Sequence, residues 1–416
     1  MKKIILIYPG RKTLKPRIPL SLLALSVELE KKGYLTEILD LRNDNWVKHL
    51  KDEAYAYCIT SMTGDQIKSA LKMCKIIKKK HVNAKIIWGG VHSTICPVST
   101  ARNRYVDFVV RGEGEKTLIE LLDSNFDREI IENIRGITFY ESDKLVHNPD
   151  RPFLDMDELE TPDFNKLKLD KYRSYDAFPY ESSRGCPGKC KFCYNNSFNK
   201  GGWRSKNPKK VIEELTNLSR MHGVKSFDIV DDNFFADKER VETICKGLIE
   251  SGFGSKWMAS CRINDFISFD AVFLGLLKDS GCDFIRFGAE SGSDKTLKAL
   301  AKDITVTQIK KTSDICSRHK INHGFYFIIG LPDETYEDIL KTIDVYDLVE
   351  SDVEKIERFM ALYNPYPGNP LFGKICAKGF EPPEKLEGWG DFNYDFITKQ
   401  LDKYTLCNVD IVTTIA

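Results

Sequence analysis

The chain has 416 residues, of which 42% are hydrophobic and 11% aromatic, so wholesale disorder is excluded and at least two domains are expected. Its 62 Lys and Arg residues balance 61 Asp and Glu residues, which argues against a nucleic-acid partner that needs a broad positive field. The apolar runs are no longer than strands, and the first one, at residues 4–8, ends at Pro9-Gly10 without a cleavage site for export. We therefore expect a cytoplasmic protein with no membrane span.

The first 132 residues alternate short apolar runs with helical patterns. Strands are predicted at residues 4–8, 35–39, 55–59, 85–88 and 106–110, and helices at 20–32, 66–80 and 115–122. This alternation predicts a Rossmann-like parallel sheet with right-handed crossovers, which binds ligands beyond the carboxyl ends of its strands. Glycines follow several of these strands, where they either let a ligand approach the backbone or form ordinary tight turns.

Residues 133–178 differ in composition. Two strand-like runs at 137–140 and 145–147 flank a polar turn and predict a hairpin, and the following stretch, rich in proline and acidic residues, is typical of a linker.

Six strand–helix repeats follow in residues 179–362. Strands are predicted at 180–183, 226–230, 257–261, 284–288, 324–329 and 355–360, with helices at 211–221, 238–250, 271–279, 306–319 and 336–348. The pattern indicates a partial (β/α)6 barrel with functional groups at the carboxyl ends of its strands. Residues 363–416 form a C-terminal extension with little regular pattern.

The twelve cysteines divide into two groups. Nine are scattered and are expected to be buried structural residues: Cys58, Cys74, Cys96, Cys245, Cys261, Cys282, Cys316, Cys376 and Cys407. The other three, Cys186, Cys190 and Cys193, lie within eight residues just after the first barrel strand.

Three closely spaced thiolates suit a soft metal centre. Structural zinc normally takes a fourth Cys or His at a matching spacing, and the nearest histidine, His222, lies beyond a predicted helix. A 4Fe-4S cluster whose last iron stays open for a substrate-like ligand explains the triplet better, while a zinc site and unrelated thiols remain as alternatives.

The cysteine spacing, with Phe192 before the third cysteine, resembles the signature of radical S-adenosylmethionine (radical SAM) enzymes. Segments after successive predicted strands also resemble that family over roughly residues 175–365. The resemblance implies S-adenosylmethionine contacts from the following residues: Tyr194, Asp231, Asp232, Arg262, Glu290, Ser291, Gly330 and Leu331.

The N-terminal part resembles the cobalamin-binding module that precedes the barrel in a large subgroup of these enzymes. The segments SMTG, WGGVH and VRGEGE carry this resemblance, which implies cobalamin contacts from Pro9, Ser61, Met62, Thr63, Gly64, Gly89, Gly90, Val91, His92, Gly112, Glu113 and Gly114. The Asp-x-His-x-x-Gly motif that supplies a histidine to cobalt in many cobalamin proteins does not occur in the sequence.

The resemblance implies a methyltransferase. The cluster would cleave S-adenosylmethionine to a 5′-deoxyadenosyl radical, and methylcobalamin would deliver a methyl group to an unactivated carbon. A small electron donor such as flavodoxin or ferredoxin would reduce the cluster. The acceptor is either a peptidyl side chain, such as glutamine in methyl-coenzyme M reductase, or a small metabolite or lipid.

Tyr363 and Tyr366, with Phe359, either line a substrate pocket or close a packed core. Two other functions remain open, namely a cobalamin-binding radical enzyme that cyclises or rearranges its substrate without methylation, and a zinc-binding interaction protein. A dinucleotide-dependent oxidoreductase is disfavoured because Gly-x-Gly-x-x-Gly does not follow the first strand.

Overall fold

The computed structural model describes residues 1–13, 16–43, 46–51, 53–142, 144–172, 177–349 and 353–405. Cys407 and the end of the predicted extension lie outside these residues. The chain forms two compact units: unit 1 contains Met1–Tyr175 and Pro382–Phe396, and unit 2 contains Asp176–Glu381 and Ile397–Ala416. A short segment near the C-terminus thus belongs to the N-terminal unit, which the sequence pattern does not indicate.

Unit 1 is built on a seven-stranded sheet in the order β2-β1-β3-β4-β5-β6-β7, whose first five strands are parallel. The strands are β1 (Lys3–Tyr8), β2 (Leu35–Asp40), β3 (Ala56–Thr60), β4 (Ile86–Gly89), β5 (Phe108–Val110), β6 (Ile137–Glu141) and β7 (Lys144–His147). The helices are α1 (Leu20–Lys31), α2 (Asp65–Lys80), α3 (Val91–Ile95), α4 (Pro97–Ala101), α5 (Gly114–Asp123) and α6 (Arg128–Ile131). The predicted parallel α/β architecture is confirmed.

The sequence of β1 explains its central position in the sheet, and the helical spacing of the apolar residues in α2 explains why one face of that helix is buried. Residues 4–7 are fully buried, as expected for a central parallel strand covered on both faces. The hairpin β6–β7 is also part of this sheet, since β6 pairs antiparallel with β5. Buried Arg111 fixes the hairpin by donating to the Ile137 carbonyl over 2.9 Å.

Unit 2 contains a six-stranded parallel sheet in the order β8-β11-β12-β13-β14-β15. Its strands, with a separate ribbon β9–β10, are β8 (Ala177–Tyr180), β9 (Ser183–Gly185), β10 (Trp203–Ser205), β11 (Ser226–Ile229), β12 (Lys256–Cys261), β13 (Cys282–Glu290), β14 (His323–Ile329) and β15 (Ile356–Leu362). The partial barrel predicted from six repeats is confirmed.

The five predicted barrel helices are present as α8 (Pro208–His222), α9 (Lys238–Glu250), α11 (Ala271–Asp279), α13 (Val306–His319) and α14 (Tyr336–Leu348). Short helices that were not predicted are α7 (Asn195–Phe198), α10 (Ile263–Phe266) and α12 (Asp294–Ala299), and α15 (Pro370–Ala377) lies in the extension for which little regular structure was expected. Two short helices follow in the C-terminal part, α16 (Leu386–Trp389) and α17 (Tyr394–Thr398). Single 3₁₀ turns occur at Trp46–Leu50, Met156–Glu158, Phe164–Lys166, Leu169–Tyr172, Phe234–Ala236 and Leu401–Lys403.

The prediction of one strand over residues 180–183 is wrong. The first barrel strand ends at Tyr180, and Ser183–Gly185 pairs antiparallel with Trp203–Ser205 in a separate ribbon. The chain leaves the barrel sheet because Asp231, at the end of the neighbouring strand, binds the backbone and hydroxyl of Ser182.

The two faces of the barrel sheet differ in burial. Large apolar side chains such as Phe287, Phe325 and Phe327 are at most 1% exposed on the face that carries the helices. On the opposite face, Asp228, Arg286 and Tyr326 are only partly buried. Among the described residues, no helix is both long and apolar enough to cross a bilayer.

Candidate functional site

The cysteine triplet begins immediately after the ribbon β9–β10. Gly185 has a φ of +89°, and a Cβ atom there would lie 2.0 Å from the Gly202 carbonyl oxygen, so only glycine fits. This turn delivers Cys186 to the surface of unit 2. Cys186, Cys190 and Cys193 are all free and partly exposed.

Backbone contacts hold the cysteine segment in place. Asn196 Nδ2 donates to the Cys190 carbonyl over 2.6 Å, and the Lys191 amide donates to the Leu300 carbonyl over 2.9 Å. Asn369 Nδ2, at the start of α15, donates to the Phe192 carbonyl over 3.1 Å. The segment is therefore fixed by three separate parts of unit 2.

The three thiols form an electrostatically coupled group. Burial raises the pKa of Cys193 to about 12 and also raises the pKa of Cys186, and the neighbouring thiols act in the same direction. Free thiols at Cys186 and Cys193 would stay protonated, so binding of a positively charged centre is what would convert these two to thiolate ligands.

The donor set of the triplet consists of three thiols, which suit a soft metal centre. A four-iron cluster and a zinc ion both take thiolate ligands. Within the described part of the chain, no three His, Cys, Asp or Glu side chains form a group arranged to hold a metal ion.

A cation lies beside the first cysteine. The ideal Cβ position of Gly188 is 3.3 Å from Cys186 Sγ and 3.4 Å from Arg262 Cζ, so the thiol and the guanidinium flank the same glycine. Arg262 follows β12 at the carboxyl edge of the sheet. It can balance negative charge on a thiolate or bind a carboxylate.

The two aspartates after β11 stabilise the entry to the cysteine segment. Buried Asp231 accepts hydrogen bonds from the Ser182 amide and hydroxyl and from the Ser183 hydroxyl. Asp232 accepts from the Tyr194 hydroxyl over 2.7 Å and from the Gly185 amide over 3.0 Å. The hydrogen bonds of both residues link β11 to the segment that carries the thiols.

Glu290, at the end of β13, forms an ion pair with Lys302. Its φ is +65°, and a Cβ atom on Gly288 would lie 2.3 Å from Glu290 Oε1, so glycine at 288 leaves room for the pair. Ser291 is buried, and its hydroxyl lies 3.1 Å from the Thr342 hydroxyl. Lys302 was not predicted, because nothing in its local sequence marks it.

The Gly330-Leu331 turn after β14 is bound by an unpredicted glutamate. Glu334 Oε2 accepts the Gly330 amide over 2.7 Å and the Leu331 amide over 3.1 Å. Burial of the carboxyl raises its pKa to about 7. The turn therefore keeps its backbone in a fixed geometry at the carboxyl edge of the barrel sheet.

The open face of the barrel sheet carries polar groups that the sequence reasoning missed. Arg286 Nη2 donates to Asp228 Oδ1 over 2.5 Å across the intervening strand β12, and the Tyr326 hydroxyl donates to Glu357 Oε2 over 2.9 Å. Phe359 is 57% exposed on the same face. The alternation of side chains along each strand could have predicted that these residues share one face of the sheet. It could not have predicted which of them hydrogen-bond to each other.

Of the substrate-pocket candidates, Tyr363 is only 3% exposed and packs edge-on against Tyr404, which fits a core position. Tyr366 is 37% exposed.

In unit 1, the predicted cobalamin residues other than Pro9 lie at the carboxyl ends of β3, β4 and β5. The Ser61 amide donates to the Gly89 carbonyl, and the His92 amide donates to the Ser61 carbonyl, each over 3.0 Å. Gly112 donates its amide to the Thr94 hydroxyl over 2.9 Å. We call this group of connected loops, residues 61–64, 89–92 and 112–114, the glycine cradle.

Part of the cradle is open, and one buried nitrogen in it is unused. A Cβ atom on Gly112 would meet nothing within 4 Å, and Met62 is 52% exposed. His92 is fully buried, with Nδ1 3.0 Å from the Thr63 hydroxyl, while Nε2 has no hydrogen-bond partner among the described residues. Open space, exposed glycine backbone and an unsatisfied buried nitrogen fit a large ligand with polar side chains.

Other predicted cobalamin residues have structural contacts. Glu113 is buried and accepts the Leu154 amide over 2.8 Å. Gly114 begins α5, and a Cβ atom there would lie 3.3 Å from a Leu25 methyl group. Pro9 is buried after β1, and Val91 begins α3.

Comparison with known proteins supports two domain families. The family model described as the radical SAM superfamily matches residues 180–346, and the B12 binding domain model matches residues 14–122. These matches cover the cysteine triplet, barrel strands β11 to β14 and most of the parallel strands of unit 1.

Two curated relatives and one solved structure resemble the chain. An uncharacterised methyltransferase of Pyrococcus horikoshii is 33% identical over 74% of this chain and 66% of its own length. The anaerobic magnesium-protoporphyrin IX monomethyl ester cyclase of Rubrivivax gelatinosus is 27% identical over 80% of this chain and 59% of its own length. The chain therefore spans less than two thirds of the length of either relative.

The solved structure is that of TsrM from Kitasatospora setae, a radical S-adenosylmethionine methyltransferase with tryptophan substrate and an S-adenosylmethionine analogue bound. Its sequence is 18% identical to this chain, and the two structures superpose with a TM-score of 0.77. The match covers 92% of this chain and 78% of the TsrM chain. At this identity, the likeness shows a shared fold.

Proposed function

Because the chain belongs to the radical SAM superfamily and carries a B12-binding domain before its barrel, we propose that it is a cobalamin-dependent C-methyltransferase. The observation that carries this proposal is the free cysteine triplet at the carboxyl edge of a partial barrel, in a chain that also contains the glycine cradle. The relative of Pyrococcus horikoshii named as a methyltransferase supports the same function.

When bound, a 4Fe-4S cluster, S-adenosylmethionine and cobalamin would supply radical formation and the transferable methyl group. Cys186, Cys190 and Cys193 would hold the cluster, and Arg262 beside Cys186 would compensate negative charge there. The protein's own contribution is to bind, to orient and to exclude water.

The S-adenosylmethionine site would lie along the carboxyl edge of the barrel sheet. The Glu290 carboxylate, the Gly330-Leu331 turn and the Tyr194 backbone are its proposed contacts. Each of these contacts is held by another part of the chain. Lys302 pairs with Glu290, Glu334 accepts from the Gly330-Leu331 turn, and Tyr194 directly precedes helix α7. A site held in this way needs little reorganisation when the ligand binds.

The acceptor is proposed to bind against the open face of the barrel sheet, where Arg286, Tyr326 and Glu357 form polar pairs. Polar groups there suit a substrate with amide or charged groups, such as a peptidyl side chain like the glutamine of methyl-coenzyme M reductase. A flavodoxin or ferredoxin is proposed as the electron donor.

The first test separates methyl transfer from other radical chemistry. Enzyme reconstituted anaerobically with iron, sulfide and hydroxocobalamin is incubated with S-adenosylmethionine and a reductant. Methyl transfer predicts one S-adenosylhomocysteine and one 5′-deoxyadenosine per methylated product. Formation of 5′-deoxyadenosine without S-adenosylhomocysteine, with cobalamin bound, would contradict it.

The second test concerns the thiols. Cys186→Ala should abolish 5′-deoxyadenosine formation, whereas Cys96→Ala, which changes a thiol of unit 1 outside the triplet, should leave it unchanged. Equal activity in the Cys186 variant would refute the cluster site. A colourless protein that contains zinc would support the interaction-protein alternative instead.

A second candidate function is cyclisation or rearrangement without methyl transfer. The relative of Rubrivivax gelatinosus, named as a cyclase, favours it. Mass analysis of the product decides between the two, since methylation adds one methyl group and ring closure adds none.

A further inference from the structure

A segment close to the C-terminus packs on the glycine cradle of unit 1. This closing segment, residues 386–392, contains helix α16 and the three residues after it. Glu387 lies 284 residues from Asn103 in the sequence, yet its carboxylate accepts a hydrogen bond from Asn103 Nδ2 over 2.7 Å. Leu386, Trp389 and Phe392 are at most 5% exposed, so the segment is an integral part of unit 1.

The closing segment also contacts the loop after β3 through backbone atoms. The Gly64 amide donates to the Trp389 carbonyl over 3.1 Å. Gly64 has a φ of +102°, and a Cβ atom there would lie 3.1 Å from the Phe392 carbonyl oxygen. A glycine at 64 is therefore what allows the closing segment to approach the cradle backbone. Lys68 and Asp391 add an ion pair beside it.

Trp389 also contacts the buried histidine of the cradle. The His92 and Trp389 ring centroids are 5.7 Å apart at an interplanar angle of 60°, an edge-to-face contact. Burial lowers the pKa of His92 to about 4, so the imidazole is neutral at physiological pH. Its Nδ1 lies 3.0 Å from the Thr63 hydroxyl, and its Nε2 is buried without a partner among the described residues.

An unsatisfied buried nitrogen beside an open cradle indicates a partner from outside the chain. A neutral imidazole has one donor and one acceptor nitrogen, and which of them is Nε2 depends on the tautomer. An amide matches both cases because it can donate and accept. The amide side chains at the rim of the corrin ring have this chemistry.

We propose that the closing segment forms one wall of the cobalamin site, and that Trp389 is a positioning residue that holds His92 so that Nε2 hydrogen-bonds a corrin amide. This inference rests on the proposed function, specifically on cobalamin binding to unit 1. It adds the C-terminal part of the chain to a site that sequence reasoning confined to the first 114 residues.

Binding of hydroxocobalamin to the full chain tests the proposal. Equilibrium dialysis read by visible absorbance gives the Kd for the wild type, Trp389→Ala, His92→Phe, Trp389→Phe and His92→Gln. Loss of one buried hydrogen bond weakens binding about tenfold, so the first two variants should show that increase in Kd. Trp389→Phe keeps an aromatic edge and His92→Gln keeps a polar end, so both should stay within about threefold of the wild type.

Tyr140→Ala is the matched control, because Tyr140 is an aromatic residue on β6 in the same unit but outside the cradle. It should not change the Kd. If Trp389→Ala binds hydroxocobalamin as tightly as the wild type, the proposal fails. Tighter binding would show that the segment obstructs the site, which also overturns it.

Hydrogen exchange of the wild type provides a test that does not depend on any variant folding. Peptides that cover residues 386–392 should exchange more slowly when hydroxocobalamin is added, together with those that cover 61–64 and 89–92. Protection of the cradle peptides without protection of 386–392 would contradict the proposal. A wild-type chain that binds no hydroxocobalamin would instead refute cobalamin binding in the proposed function, so the two failures are distinguishable.

Discussion

Lys302 Nζ donates to Glu290 Oε1 over 2.6 Å, and both side chains are only 10% exposed. Burial alone would favour the neutral amine, but the adjacent Glu290 carboxylate and the nearby Cys190 thiol raise the pKa of Lys302 above its usual value. The pair thus links the end of β13 electrostatically to the cysteine segment.

Removing one partner of this pair should be costly. Lys302→Met leaves the Glu290 carboxylate buried without its cation, and we expect a loss of about 3–5 kcal/mol in the free energy of unfolding, measured by urea denaturation. The double variant Lys302→Met/Glu290→Gln should recover part of this loss because no unpaired charge remains. A single variant that costs less than about 1 kcal/mol would indicate that the pair is in effect exposed to solvent.

The Lys302–Glu290 pair illustrates how far sequence reasoning reaches. Glu290 was predicted from its motif after a strand, whereas Lys302 lies twelve residues later in a segment with no motif. Helices such as Lys238–Glu250 and Val306–His319 were predicted with the observed bounds because their apolar spacing is local and their N-termini are capped by Asp237 and Thr305.

Contacts between distant parts of the chain could not be predicted in this way. The closing segment near Trp389 joins unit 1 through contacts with residues more than 280 positions earlier, such as the Asn103–Glu387 hydrogen bond. The hydrogen bonds that Asp231 accepts from Ser182 and Ser183 are a second example, because its motif predicted only a ligand contact, which stays a prediction. Hydrogen bonds between loops leave no periodic signal, so only the three-dimensional structure shows them.

Glu334 should make stability depend on pH. Burial raises its pKa from 4.5 to about 7, although the Leu331 and Gly330 amides partly oppose this. A carboxyl with a raised pKa in the folded state contributes stability that is present below pH 4.5 and is lost as pH rises through 7. A pKa difference of this size corresponds to a loss on the order of 3 kcal/mol in the free energy of unfolding.

Glu334→Gln removes this titration and can still accept both amides. Urea denaturation at pH 5 and pH 8 should therefore show a smaller pH-dependent loss in the variant than in the wild type. Glu337→Gln is the control, because Glu337 is an exposed carboxylate in the first turn of α14, just after Glu334, and forms a surface ion pair with Lys341. An identical pH dependence in the wild type and in Glu334→Gln would show that Glu334 is ionised without cost.

Arg111 is predicted to be essential for the edge of the unit 1 sheet. It is 5% exposed and donates to the Ile137 carbonyl and to Asp150, each over 2.9 Å. Arg111→Met removes the hydrogen bonds of a buried guanidinium to the Ile137 and Asn148 carbonyls and its ion pair with Asp150, and should cost about 3 kcal/mol or more. Hydrogen exchange should also accelerate in the β6–β7 hairpin, whereas Arg104→Met, at an exposed position, should change neither quantity. Unchanged exchange in the hairpin would contradict this role.

Gly185 is predicted to be required for cluster binding, even though it carries no ligand atom. A Cβ atom would lie 2.0 Å from the Gly202 carbonyl oxygen at a φ of +89°, so Gly185→Ala must displace the ribbon that positions Cys186. We expect the variant to bind much less iron and sulfide on anaerobic reconstitution, with the far-UV circular dichroism of the barrel retained. Gly254→Ala is the matched control, since a Cβ atom there meets nothing within 4 Å and its φ lies outside the left-handed region. Full iron content in Gly185→Ala would show that the thiols reach their positions without the turn, and the cysteine segment would then be adaptable instead of fixed by the ribbon.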